Sequence, residues 1–247
     1  NSAESDAAGT VWIDDSLGAL VSHIESLGQT DNTLILFIFD HGMGAKDQLY
    51  ESGTRVPLIA KLPSAFKAGA TVSTGVVNVD IAATLLALAG ASSGAAGLQD
   101  GVSLLPLIPA PSSTSHTVDA ASPIAQRFAI WTEIDFERAV VSAQYKFISR
   151  DAALTDDSHV LDDYPSSADL EQLYDLSTTP DESSSVLSEA AHSEAAALFR
   201  SVASCVDATL SPSNEGGATN SLASCGLSGA GWVSGIGSGT PSATPDP

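Results

Sequence analysis

Basic residues are scarce in this chain, and their scarcity limits what the protein can bind. The 247 residues include 9 Lys and Arg against 30 Asp and Glu, which gives a formal net charge of -21 at pH 7. A field of that sign repels phosphate, so the composition argues against nucleic acid and against an anionic membrane surface as partners. An anionic substrate would therefore need a local positive device such as a bound metal ion.

Long apolar runs and cysteines are also few. No apolar run approaches the roughly 20 residues that a membrane-spanning helix needs, so no membrane span is predicted. The two cysteines, Cys205 and Cys225, stand in a Ser-, Ala- and Gly-rich context, where an even pair favours one disulfide over two free thiols. No Cys-x-x-Cys or Cys/His cluster occurs, so zinc-thiolate chemistry is not supported.

The first residues lack the features of a secretory leader. The chain starts at Asn1 without an initiator Met, a basic segment or an apolar segment. We therefore expect a fragment of a longer protein. An acidic surplus is a solubility trait of secreted proteins, and together with a disulfide it leads us to expect a secreted or secretory-pathway location.

The most informative stretch is an apolar run that ends in two polar residues. Residues 33–39 predict a strand buried on both faces, and Asp40 and His41 follow at its carboxyl end, where open α/β sheets bind their ligands. Neighbouring strand residues point to opposite faces. The two side chains can therefore bind one ion only if the chain leaves the strand at Asp40, which Gly42 and Gly44 permit.

The elements around this strand predict an α/β fold. Apolar spacing predicts an amphipathic helix over 12–27, in the order of half a βαβ unit, and residues 1–10 are expected to be irregular. A second strand is predicted near 56–60. A helix is predicted over 81–89, with Asp80 as its N-cap.

The second half of the chain has a different pattern. After Arg127, short β-type runs separated by polar turns predict an antiparallel meander. Apolar residues over 184–205 predict a helix that covers one face of it. The sequence thus predicts a small antiparallel sheet with a packed C-terminal helix.

A carboxylate beside an imidazole at a strand end is suited to holding a divalent cation. Asp40 and His41 alone are weak evidence, since a capping Asp followed by a surface His is the commoner origin of such a pair. Lys46 lies in the same loop, where its ammonium can neutralise an oxyanion or protonate a leaving oxygen; the alternative is a solvated Lys. Arg55 is expected to pair with Glu51.

Several motifs, taken in order, resemble the sulfatase family of the alkaline-phosphatase-like superfamily. The resemblance runs from about Asp14 to about Leu187. It is carried by residues 14–18, 31–35, 39–42, Lys46, 50–59, 79–86, 100–106, 145–148, 173–176 and 181–182.

By this resemblance Asp40 and His41 are two ligands of an active-site calcium, and Lys46 contacts the sulfate group or the bridging oxygen. The family's nucleophile is a formylglycine made from the Cys of a Cys-x-Pro-x-Arg motif, and neither that motif nor the family's upstream Asp-Asp metal pair occurs in this sequence. The resemblance therefore implies the C-terminal portion of a sulfatase. Its missing N-terminal portion would carry the nucleophile, and the complete protein would hydrolyse an aryl or carbohydrate sulfate ester.

The implied fold is part of an alkaline-phosphatase-like sheet flanked by helices, followed by the small antiparallel sheet. The C-terminal part of the catalytic domain is expected at 1–110, followed by a connection at 111–126. A small α+β subdomain is expected at 127–206, and a Ser/Gly/Pro-rich tail at 207–247. Two alternatives stay open. One is a phosphoryl or phosphonate hydrolase of the same superfamily, and the other is a non-catalytic secreted binding fragment.

Overall fold

A computed structural model of the chain describes residues 2–42, 46, 48–91, 101–115, 117–134, 137–150 and 169–210. No helix in these ranges is long and apolar enough to cross a membrane. The helices and strands, in chain order, are α1 (Ser2–Ser26), β1 (Ile35–Ile38), α2 (Glu51–Thr54), β2 (Leu58–Lys61), α3 (Val79–Leu88), β3 (Ala129–Ile134), β4 (Glu137–Ser142), β5 (Tyr145–Arg150), β6 (Glu171–Asp175) and α4 (Ser193–Leu210).

Contacts within the chain separate two compact units that interleave along the sequence. The first unit contains α1, β1 and β2, and takes its residues from 1–39, 57–71 and 108–116. The second contains α2, α3, the other four strands and α4. The consecutive domain bounds expected from composition stay a prediction.

In the first unit, helix α1 is longer than the sequence pattern predicted. It begins at Ser2, so the expectation that residues 1–10 are irregular is wrong. Alanine and glutamate favour helix there, and no proline interrupts it. The helix ends at Ser26, close to where its pattern indicates, and Gly28 follows with a φ of +65° that suits glycine. The amides of Gly28 and Gln29 donate to carbonyl oxygens of the last turn, which is the Schellman arrangement.

Strands β1 and β2 pair antiparallel, with Phe37 opposite Ile59. Among the described strands β1 has no parallel neighbour, so the βαβ arrangement is not found. Burial along β1 alternates, and Leu36 and Ile38 are 36% and 39% exposed. The prediction of a strand buried on both faces is therefore wrong here, because one face of this two-stranded ribbon is left open in the described ranges.

In the second unit, β3 to β6 form the predicted meander. Each strand pairs antiparallel with the next, in the order β3-β4-β5-β6. Helix α4 covers one face, where Val140, Phe147 and Leu173 of the sheet pack with Phe199 and Val202 of the helix, all at most 2% exposed. The helix begins later than predicted, because residues 190–192 form a short 3-10 turn before it.

The opposite face of this sheet holds the chain that leads into α2. Side chains alternate along a strand, so Ile148 and Tyr174 point away from α4. They pack with Leu49 and Tyr50, each 2% exposed. The start of α2 is thereby fixed on the sheet.

Asp80 is not the N-cap of α3. Asn78 holds that position, and Asp80 lies in the first turn. The Asp80 carboxylate, fully buried, accepts the backbone N–H groups of Val77 and Val102 at 3.0 Å each. It also accepts two N–H groups of Arg127, at 2.6 and 2.7 Å. A buried clamp, rather than a cap, therefore joins three separate segments.

The predicted disulfide falls partly outside the described residues. Cys205 lies on α4, partly buried against the core formed by α4 and the sheet. Cys225 and the tail beyond residue 210 are not among the described residues. The pairing of Cys205 with Cys225 therefore stays a prediction.

Candidate functional site

The structure brings the side chains of Asp40 and His41 together. The strand ends at Ile38, so both residues lie beyond it. The backbone N–H of His41 donates to Asp40 Oδ1 at 3.0 Å, and His41 Nε2 lies 3.6 Å from Asp40 Oδ2. The Asp40 side chain is 88% exposed and that of His41 is 38% exposed. The chain thus leaves the strand before Asp40, and the side chains of Asp40 and His41 can approach each other although the two residues are adjacent.

The other ring nitrogen of His41 fixes the state of the imidazole. His41 Nδ1 lies 2.8 Å from the carbonyl oxygen of Gly42. A carbonyl oxygen only accepts, so Nδ1 carries the proton that it donates, and the assignment rests on this hydrogen bond. In the neutral ring the lone pair of Nε2, beside Asp40, is then available to a ligand. Metal-binding histidines are commonly oriented in this way.

Gly42 allows the loop to approach α2 closely. Its N–H donates to the carbonyl oxygen of Gly53 at 2.7 Å. A Cβ at position 42 would lie within 1.9 Å of the carbonyl oxygen of Ser52. Only glycine fits there, and Gly42, next to His41, is therefore held against α2.

Lys46 is exposed, and its chain neighbours 43–45 and 47 are not described. Among the described residues, no hydrogen bond or ion pair joins Lys46 to Asp40 or His41. The predicted role of Lys46 therefore stays a prediction, as do the metal roles of Asp40 and His41.

A buried cluster of charges holds α2 from the sheet side; we call Glu51, Lys146 and Glu182 the charge cluster. Lys146 on β5 is fully buried, and its Nζ lies 3.1 Å from a carboxylate oxygen of Glu51 and 3.1 Å from one of Glu182. It also donates to the hydroxyl of Thr54 at 3.4 Å. The second oxygen of Glu182 accepts the backbone N–H of Glu51 at 2.5 Å. Both ends of α2 therefore contact the cluster.

Glu182 is held in an unusual environment. It is 1% exposed and has a φ of +54°, a conformation that few residues other than glycine adopt. Burial raises its pKa, the Lys146 ammonium opposes that shift, and the nearby Glu51 carboxylate adds to it. One ammonium thus lies beside two carboxylates, and the raised pKa of Glu182 means that this carboxylate binds a proton more readily than an exposed glutamate does.

Arg55 pairs with Glu51 as predicted, at 3.8 Å, but its side chain is 81% exposed. An exposed pair of this kind contributes little stability. Lys146 is the stronger partner of Glu51, because it is buried and closer.

Tyr50 anchors the chain at the start of α2. Its hydroxyl donates to the amide oxygen of Gln172 at 2.8 Å, and the Tyr174 hydroxyl donates to the same oxygen at 2.7 Å. Burial raises the pKa of Tyr50 to about 12, although the hydrogen bonds to Gln172 and Tyr174 oppose the shift. Tyr50 therefore stays protonated at neutral pH and acts as a structural anchor, not as a base.

The calcium implied by the resemblance can be tested against the donors present. Asp40 supplies the hard carboxylate oxygen that calcium prefers, and the oriented His41 Nε2 lies within the separation that two ligands of one cation at about 2.4 Å can have. Calcium takes about six to eight ligands. No group of three or more His, Cys, Asp or Glu side chains that could hold a metal ion occurs among the described residues. The two residues fit part of a calcium site, and its other ligands would have to come from outside the described residues.

The family assignment follows from a match that begins at this loop. The family model described as N-sulphoglucosamine sulphohydrolase, C-terminal, matches residues 39–204, which is more than half of the chain. The chain belongs to the sulfatase family. The predicted family and the predicted α/β fold of the alkaline-phosphatase-like superfamily are thereby confirmed.

Relatives of this sulfatase chain are much longer than the chain itself. It is 40% identical over 85 residues to the N-acetylglucosamine-6-O-sulfatase of Bacteroides thetaiotaomicron, which covers 32% of the chain and 15% of the relative. A solved structure of a protein in complex with its substrate D-glucosamine-2-N,6-O-disulfate has a TM-score of 0.64 at 23% identity, covering 81% of this chain and 39% of that one.

The phosphonate monoester hydrolase of Agrobacterium radiobacter has a TM-score of 0.56 at 19% identity, covering 79% of this chain and 39% of that one. At these identities the two structural likenesses show the fold alone. The sulfatase chain thus spans 39% or less of the length of each of these three proteins.

Sequence reasoning missed the charge cluster of this sulfatase. Glu51 was assigned to Arg55, while Lys146 and Glu182 were noted only as parts of family motifs. A usable signal was present in Tyr145-Lys146-Phe147-Ile148, because a lysine within an apolar strand must find a buried partner. Nothing local indicates that the partners are Glu51 and Glu182.

Proposed function

We propose that this chain is the C-terminal portion of a sulfuric ester hydrolase, in which Asp40 and His41 bind the active-site calcium and Lys46 contacts the sulfate ester. The observation that carries the proposal is the Asp40–His41 pair, 3.6 Å apart and oriented by Gly42, in a chain of the sulfatase family. A missing N-terminal portion of the same protein would supply the nucleophile, a formylglycine, and the other calcium ligands.

The roles of the three residues follow from their chemistry. The Asp40 carboxylate would bind the cation and neutralise part of its charge, and the lone pair of His41 Nε2 would provide a second ligand. A bound calcium would supply positive charge beside the sulfate oxygens, and positive charge is scarce in this acidic protein. The Lys46 ammonium would contact a sulfate oxygen or donate a proton to the bridging oxygen as the ester bond breaks.

For the substrate we propose a sulfate ester of a carbohydrate or an aryl alcohol. The name of the bacterial relative, an N-acetylglucosamine-6-O-sulfatase, supports a sugar sulfate. A phosphonate or phosphoryl ester is the second candidate, supported by the phosphonate monoester hydrolase of similar fold. A non-catalytic binding fragment is the third.

Hydrolysis by the complete protein distinguishes these candidates. We expect turnover of 4-nitrophenyl sulfate and of N-acetylglucosamine 6-sulfate, and much slower turnover of a phenylphosphonate monoester. A clear preference for the phosphonate would overturn the sulfatase assignment, and no turnover of any of the three would favour a binding role. Residues 1–247 alone should show no turnover, because the nucleophile is absent from their sequence.

We further propose that the protein is secreted or enters the secretory pathway, with Cys205 and Cys225 joined in a disulfide. The acidic composition and the even cysteine pair support this location. Mass spectrometry of the unreduced protein after proteolysis should show a peptide linked through the two cysteines. Two separately alkylated cysteines would contradict the pairing.

A further inference from the structure

A short path of contacts connects the charge cluster to the Asp40–His41 loop. Gly42, next to His41, donates its N–H to the carbonyl oxygen of Gly53 in α2. The first residue of α2, Glu51, donates its own N–H to Glu182. Only one four-residue helical turn therefore separates the cluster from the loop.

The charge cluster holds α2 at its first residue, Glu51, and at its last residue, Thr54. Glu182 accepts the N–H of Glu51, and Lys146 reaches the Glu51 carboxylate at 3.1 Å and the Thr54 hydroxyl at 3.4 Å. Lys146 and Glu182 are at most 1% exposed, so water does not replace these contacts. A four-residue helix has little stability of its own, so its position depends on these partners.

The approach between α2 and the loop leaves little freedom. The carbonyl oxygen of Ser52 occupies the space that a Cβ of residue 42 would need, so the two backbones are in direct contact. A shift of α2 therefore either moves residue 42 or breaks its hydrogen bond to Gly53. Either event changes where the neighbouring His41 ring lies, because its Nδ1 proton is held by the Gly42 carbonyl.

We propose that Lys146 and Glu182 are positioning residues, which set the geometry of the Asp40–His41 pair through α2 and thereby its affinity for a cation. The metal part of this inference rests on the proposed function. The positioning part does not, because it concerns contacts within this chain.

Hydrogen exchange at the Gly42 amide tests the positioning part directly. In the chain labelled with 15N-glycine, Lys146→Met should raise the exchange rate of this amide at least tenfold, because α2 loses its buried cation. The matched control is Arg127→Met, which also replaces a buried cation and leaves a buried carboxylate, that of Asp80. Arg127→Met also destabilises this unit, so it shows how far Gly42 exchange rises from lost stability alone, and the rise in Lys146→Met should be at least tenfold larger. Equal effects of the two variants would overturn the inference.

A second pair of variants covers the case in which Lys146→Met does not fold. Glu182→Ala removes the acceptor of the Glu51 N–H but leaves Lys146 paired with Glu51, while Glu182→Gln keeps an acceptor oxygen. Gly42 exchange should rise at least tenfold in the first and stay near wild type in the second. Unchanged exchange in Glu182→Ala would contradict the proposal.

Calcium titration calorimetry of the complete, chelator-treated protein tests the metal part. Lys146→Met should weaken calcium binding about tenfold, and Arg127→Met should leave it within about twofold. If the wild-type protein binds calcium and Lys146→Met binds it equally well, the inference fails while the proposed function stands. If the wild-type protein binds no calcium, the proposed metal role of Asp40 and His41 fails, and the exchange result alone decides the positioning.

Discussion

Loss of the Arg127 guanidinium should strongly destabilise the second unit. Arg127 is 11% exposed at its side chain, and its two bonds to the fully buried Asp80 are 2.6 and 2.7 Å long. Removing one partner of such a pair costs about 3–5 kcal/mol, because the other charge stays buried. The backbone N–H groups of Val77 and Val102 still bind the Asp80 carboxylate, so we expect the lower end for Arg127→Met, about 3 kcal/mol.

Urea unfolding followed by far-UV circular dichroism measures this cost. With a slope of about 3 kcal/mol per molar, a loss of about 3 kcal/mol lowers the midpoint by about 1 M. The matched control is Arg200→Met. Arg200 pairs with Glu171 at 2.7 Å, but the side chains are 45% and 39% exposed, so the pair contributes at most about 1 kcal/mol. Midpoints that fall equally in the two variants would refute the argument from burial.

A double variant isolates the uncompensated charge. Asp80→Asn removes the carboxylate that Arg127→Met leaves without its cation. The destabilisation of the double variant should therefore be smaller than the sum of the two single destabilisations, by at least about 1 kcal/mol. Additive effects would show that Asp80 and Arg127 do not act as a pair.

Three further predictions concern the site and its support. In Gly42→Ala the new Cβ would meet the Ser52 carbonyl, so the hydrogen bond from residue 42 to Gly53 should break and calcium binding by the complete protein should weaken. A calcium affinity equal to that of wild type in titration calorimetry would contradict this. Tyr50→Phe should cost about 1 kcal/mol in urea unfolding, since one buried hydrogen bond to Gln172 is lost; a midpoint equal to that of wild type would refute the anchor role. Burial raises the folded pKa of Glu182 above its ordinary 4.5, so the stability of the wild type should fall as pH rises from 4.5 through that pKa. In Glu182→Gln this fall of stability with pH should be absent when thermal unfolding is followed between pH 4 and 7. Parallel wild-type and variant profiles would argue against it.

Local chemistry made several elements predictable from the sequence. Helix ends were marked by Gly28 and Gly90, which have φ values of +65° and +73° that other residues rarely adopt. The meander was visible in β-type runs between polar turns, because each strand has one face on α4. The placement of Asp40 and His41 after a strand followed from where the apolar run stops.

Burial and long-range pairing were not predictable in the same way. The apolar run of β1 has the composition of a fully buried strand, but its burial depends on what covers each face. Asp80 is paired with a residue 47 positions away, and Lys146 with one 95 positions away. No local pattern records such partners, so Asp80 was predicted as a cap and the charge cluster was missed.

The positive φ of Glu182 was equally hidden. A glutamate in that conformation is strained, and the chain tolerates it because its carboxylate binds both Lys146 and the Glu51 amide. Propensity alone would place glycine or asparagine there. Strain of this kind can be recognised only when the partners are known.

The most direct test of the account is sulfate-ester hydrolysis by the complete protein and its Asp40→Ala variant. Wild type should hydrolyse 4-nitrophenyl sulfate, and Asp40→Ala should lose nearly all of kcat/KM with its far-UV circular dichroism unchanged. The control, Asp31→Ala, removes an exposed aspartate nine residues earlier and should retain wild-type activity. Activity of Asp40→Ala within about tenfold of wild type, roughly 1.4 kcal/mol of barrier, would contradict the role proposed for Asp40.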